Sequence, residues 1–197
     1  MFNSAADRSL SDAFRRTGRV GFWAQVIIGS LSLVMAVSAF VFDQRAGLGT
    51  RGALAWIQYL TIASLLVLLF TTVWFYRYAR LAGTIADPVE RPSLASLNRT
   101  VWTGVAATAL GLVLSMLIMV SEAIQLFIYF LRAPQAGVPV VQTSAGAASW
   151  VSAGDILSLA AVIAIAFVEV VVLVLGLWLL FRTTSASAEY PDSLHRD

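Results

Sequence analysis

The stretch ILSLAAVIAIAFVEVVVLVLGLWLLF, residues 156–181, decides how this chain is read. Its 26 residues contain no loop signal and a single charge, Glu169. A soluble core gives no reason for so long an apolar run. A bilayer does, because about 20 apolar residues at ~1.5 Å each cross a hydrocarbon layer about 30 Å thick. The carboxylate then needs its own explanation. Even the mildest scale puts an acid at mid-membrane at roughly 2.5–3.5 kcal/mol, so such residues face a protein interior, a partner or water.

Composition agrees with the membrane class. The chain has 197 residues, enough for one domain, and is 59% hydrophobic and 12% charged. Soluble domains lie near ~45–50% and ~25%. Mean hydropathy is +0.82. The absence of Cys excludes disulfide frameworks, thiolate metal sites and cysteine nucleophiles. All 13 basic residues are Arg and the net charge is only +2, so nothing suggests a nucleic-acid surface.

Outward from the decisive run, three more spans appear. Residues 20–42 form an apolar stretch of 23, too long for the ~7–15-residue core of a signal peptide, and read as a retained first span. Residues 54–76 form the second span and residues 101–131 the third. The third is about 46 Å long if wholly helical, so it must tilt or protrude. Asp87-Pro88 and Arg91-Pro92 break the connection at 77–100, and Ser93 then caps a short helix leading into the third span. The connection at 133–154 is low in charge, and either dips into the interface through Trp150 or forms a loose loop.

Ahead of the first span, residues 1–19 form a polar cytoplasmic segment. Ser9 and Asp12 resemble a capping box, with Leu10, Ala13 and Phe14 on one face. The expectation is a short interfacial helix stopping at Gly18, with a disordered tail as the alternative. A polar cytoplasmic tail, 182–197, follows the fourth span.

Ten arginines lie in the N-terminal segment, the second connection and the tail, against three in the other connections. The positive-inside rule therefore places both termini in the cytoplasm. The tryptophans, Trp23, Trp56, Trp74, Trp102, Trp150 and Trp178, sit at run ends or just outside. With Tyr59, Tyr76, Tyr78 and Tyr129 they make aromatic belts at two interfaces.

Helical spacing gives the spans faces. On the third, Gly104, Thr108, Gly111 and Ser115 form a stripe of small residues that points on towards Glu122, with Met119 beside it. Such stripes let helices approach closely in lipid, where packing rather than hydrophobicity drives association. On the fourth, Asp155, Ser158, Val162, Ile165, Glu169, Val172 and Gly176 share a face. Glu122 precedes Arg132 by ten residues and Glu169 precedes Arg182 by 13. At about 15 Å and 20 Å from those boundaries, both acids are expected near the midplane.

No Arg, Lys or His lies inside a span to neutralise them, so Gln25, Gln58 and Gln125 are the main neutral hydrogen-bonding candidates. In one reading each acid is held neutral and bonds a neighbouring helix as glue. In the other the acids line a hydrated path and bind a cation or relay protons. Asp155, beside Gly154, is either an entry-site ligand or a helix cap. Met116 and Met119 read better as packing than as a soft-metal site. His195 lies in the tail. Enzymatic chemistry is not expected: with no His or Lys inside the spans, an aspartyl-type pair of carboxylates is the one intramembrane hydrolase arrangement left.

The segment Arg15-Arg16-Thr17-Gly18-Arg19-Val20-Gly21-Phe22-Trp23-Ala24-Gln25 resembles the first-span entry of a bacterial and plastid four-span family, domain of unknown function 3611. Its plant relatives include the chloroplast inner-envelope protein called permease in chloroplasts, also described as a translocon component. Trp74-Phe75-Tyr76-Arg77, Asp87-Pro88, Leu110-Gly111, Asp155-Ile156-Leu157 and Leu175-Gly176-Leu177 add to the resemblance. It implies four spans and a bacterial plasma- or thylakoid-type membrane. It also implies a role either in iron permeation or in protein import and assembly. No functional residue is carried over from it.

The expected fold is therefore all-α, four transmembrane helices in the inner membrane with both termini inside. The first functional expectation is a permease or channel for a cation such as iron or another divalent metal. Glu122 and Glu169 would supply oxygen ligands, and a homo-oligomer would enclose the path. No permanently bound cofactor is expected; a divalent ion would be cargo. The alternative is a non-conducting accessory or assembly subunit of a larger membrane complex. Topology is checked by fusing compartment-specific reporters to each end: both should be active only in the cytoplasm, and a periplasmic signal from either end contradicts the orientation.

Overall fold

In lipid every backbone polar group needs an internal partner, so a chain with four such runs is expected to fold as helices. The computed structural model describes residues 4–45, 55–87, 92–132 and 153–189. Among them are four α-helices and no strand: α1 (Ser4–Arg45), α2 (Ala55–Ala86), α3 (Leu94–Arg132) and α4 (Ala153–Glu189). Each is long and apolar enough to cross a membrane. The helices pack as an antiparallel bundle in which α1 touches α2 and α4, and α3 touches the same two. The start of α1 and the end of α4 therefore lie at one end of the bundle, here called the terminal end.

Large apolar side chains such as Leu66, Val113, Phe167 and Val174 face outward. Gln25, Ser64, Thr71, Thr108, Ser115 and Glu169 are buried inside. That distribution suits a hydrocarbon solvent, which rewards exposure of Leu and Val and gives no drive to hide them.

Every helix runs past the span expected of it, and the N-terminal segment differs in kind. No separate interfacial helix forms, and α1 continues through Gly18. A Cβ on Gly18 would collide with the Ala79 backbone nitrogen and fall 2.9 Å from the Phe75 carbonyl oxygen. The glycine therefore marks a close helix crossing and not a helix end. Leu10, Ala13 and Phe14 share a face as expected, but that face is buried in the bundle core, in contact with α2. Phe14 meets the edge of Tyr78 at 5.9 Å between ring centroids. The Ser11 hydroxyl donates to the Ala82 carbonyl at 2.7 Å.

At the start of α3, Ser93 caps the long helix itself and no short leading helix precedes it. Its carbonyl accepts from the Leu97 amide at 3.0 Å, and its hydroxyl from the Ser96 amide at 3.3 Å. Residues 46–54, 133–152 with Trp150, and 190–197 with His195 lie outside the described residues.

The crossing at Gly18 is testable. Gly18→Val should destabilise the protein by about 1–3 kcal/mol in detergent unfolding, because backbone rather than a movable side chain stands in the way. Gly83, with nothing within 4 Å of its Cβ position, is the control: Gly83→Ala should be neutral or gain up to about 1 kcal/mol.

Candidate buried carboxyl site

Two helices can meet most closely where one of them lacks a side chain, and α3 does so at Gly111. A Cβ there would fall 2.8 Å from Glu169 Oε1 and 3.0 Å from Glu169 Cδ, and 3.0 Å from Val67 Cγ1. The Glu169 carboxyl thus occupies the space that any other residue at 111 would fill. Glu169 is 0% exposed. Among the described residues, neither of its oxygens has a hydrogen-bond partner.

Glu122 is placed differently. Its Oε1 accepts a 2.7 Å bond from the Ser158 hydroxyl of α4. Together with Val105 facing Gly176, these contacts fix one antiparallel register along α3 and α4. In that register Glu122 and Glu169 are eleven residues apart, about 16 Å along the bundle, so they do not meet within one chain. Nor are both central. Ser158, opposite Glu122, is five residues from the start of α4, about 8 Å, whereas Glu169 is about 24 Å from it. Arg132 misleads as a boundary marker because α3 overshoots the beginning of α4.

The small residues expected to pack do so on two neighbours. Gly104 lies under Tyr78 and Trp74 of α2, whose ring groups donate to the Thr100 carbonyl at 3.3 and 3.0 Å. The Ser115 hydroxyl meets that of Ser64 on α2 at 3.3 Å. The Thr108 hydroxyl turns back to the Gly104 carbonyl at 2.9 Å. Gly111 contacts both α2 and α4.

Ser32, Ser64 and Thr71, which are not among the sequence candidates, are buried polar residues as well. Gln25 is buried, and its Nε2 donates to Thr71 Oγ1 at 2.7 Å while its Oε1 has no partner. It therefore bonds α2 and not a carboxylate. Read through the contact registers, Gln25, Thr71 and Thr108 lie about one turn to the terminal side of Glu169. Ser32, Ser64 and Ser115 lie about one turn to the other side. The signal was present in the sequence as Gln25, Gly29 and Ser32 on one face of α1, and Ser64, Leu68 and Thr71 on one face of α2.

The remaining candidates bring less. Asp155 lies in the first turn of α4, and its side chain, like that of Gln58, is outside the described residues. Met116 is exposed on the outer surface. Among the described residues no three His, Cys, Asp or Glu side chains group as a metal site.

Stability should separate the two acids. Ser158→Ala removes a real interhelical bond and should cost about 0.6 kcal/mol, near the average for such bonds in membranes. Glu169→Met keeps length and removes a buried polar group without partners, so it should raise stability by about 1–3 kcal/mol. Detergent unfolding of the two variants reads both effects.

No curated protein matches the chain, and neither does any solved structure. Residues 4–184, which include all four spans and both acids, match the profile of one family, described as Protein of unknown function (DUF3611). The chain is a multi-pass membrane protein that belongs to that family.

Proposed function

We propose that this protein is a cation permease whose exchangeable group is the Glu169 carboxyl, and that the ion it passes is a proton. The observation that supports this is the complete burial of Glu169 with, among the described residues, no hydrogen bond to either oxygen. A carboxyl kept as glue between helices needs a donor or acceptor, and Glu122 has one in Ser158. Glu169 has none, so its retention at that depth calls for a function.

The ion follows from ligand number. A divalent metal takes about six oxygens, and Glu169 offers two in a chain where Glu122 is about 16 Å away. A proton needs one. Gln25, Thr71 and Thr108 on one side, and Ser32, Ser64 and Ser115 on the other, supply groups that relay a proton to and from Glu169 when water enters between the helices. A single chain suffices for that path. Passage of iron or another divalent ion would instead require carboxyls from several copies. With both termini in the cytoplasm, the Gln25 side of the path opens inward.

Proton flux in proteoliposomes, driven by a potassium-diffusion potential, tests the proposal. Wild type should conduct, Glu169→Gln should fall to the level of empty liposomes, and Glu122→Gln should retain flux. Flux that survives Glu169→Gln contradicts the assignment. Absence of wild-type flux, with recovery in a larger complex on native purification, favours the accessory-subunit reading.

A further inference from the structure

A second feature, independent of Glu169, lies on the outer face near the terminal end. Between α1 and α4 runs a groove of about 400 Å³ lined by Arg16, Thr17, Val20, Val174, Leu175 and Trp178. It adjoins a second depression of about 370 Å³ lined by Asp12, Arg15, Arg16, Arg19 and Val20. Arg16 and Val20 belong to both, so the two form one surface that grades from charge into hydrocarbon.

We propose that this surface binds one anionic phospholipid. The arginines hold its phosphate, and one acyl chain lies along Val20, Val174 and Leu175. Depth supports the assignment. The Arg182 guanidinium lies 5.5 Å from the Trp178 ring centroid, and on α2 Arg77 lies 4.7 Å from that of Trp74. Tryptophan beside arginine at a span end marks the level of lipid headgroups.

Charge supports it as well, since three arginines outnumber the one aspartate at the charged end. Guanidinium groups match phosphate oxygens with paired donors. The apolar end opens sideways, with Val174 59% and Val20 50% exposed, towards the layer where acyl chains lie. A soluble phosphate would use the arginines and leave that floor empty. The paired requirement for anionic head and chain therefore identifies a lipid.

The test is native mass spectrometry of delipidated protein titrated with phosphatidylglycerol, phosphatidylcholine or inorganic phosphate. Phosphatidylglycerol should be retained in a one-to-one complex, in preference to phosphatidylcholine and undisplaced by inorganic phosphate. Arg16→Gln with Arg19→Gln should weaken retention by roughly fivefold for each arginine removed. Val174→Trp, which fills the groove and leaves the charges, should also reduce it. All three positions are exposed, and an unchanged elution profile and helical circular dichroism confirm folding. Equal retention of both lipids overturns the proposal, as does displacement by inorganic phosphate. Unaltered retention in Val174→Trp reduces the effect to surface attraction and overturns it equally.

Discussion

The contact between Gly111 and the Glu169 carboxyl governs the rest of this bundle. Helices in lipid gain nothing from hiding apolar surface, so their register must come from close packing and from polar contacts. At Gly111 the two coincide: the missing side chain leaves a space, and an acid on α4 fills it. The same register sets Val105 against Gly176 and Glu122 beside Ser158. It also leaves Gly111 touching Val67, which ties α2 to the same cross-section. Gly29, packed on Leu68 from α1, completes that level. One cross-section of the bundle thus joins all four helices around the acid.

Much of the fold was legible because a bilayer imposes a crude rule. Four apolar runs of spanning length leave little freedom, and all four became helices. The N-terminal segment was not legible. Its Leu10, Ala13 and Phe14 face was readable from spacing, but whether it meets lipid or protein depends on Tyr78, Ala82 and Leu97, far away in sequence. Gly18 illustrates the same limit. Locally a glycine reads as a helix stop, and only the nearness of the Ala79 backbone gives it another meaning.

The site was legible in part for a related reason. Periodicity located Gly104, Gly111, Ser115, Glu169 and Gly176 on faces that do pack, since a helix face follows from residue spacing alone. Partners and depth do not. Arg132 served as a ruler only if neighbouring helices end level, and α3 outlasts α4 there. Gln25 was noted as a hydrogen-bonding group, yet its partner, Thr71, comes from α2 and not from an acid. Ser32, Ser64 and Thr71 look ordinary one at a time; their alignment appears only when four helices share a register. An acid without a partner lowers stability, and proteins accept such costs where activity depends on them. The lipid groove, in contrast, sits on the outside and leaves this slice untouched.

Whether Glu169 stands as a neutral carboxyl without partners can be measured directly. Infrared difference spectroscopy of the reconstituted protein, wild type minus Glu169→Gln, isolates its absorption. A neutral carboxyl band should be lost at the high-frequency end of the C=O range, where acids without hydrogen bonds absorb. Loss of a hydrogen-bonded acid band, or of an ionised carboxylate signal that exchanges freely with buffer, would contradict it.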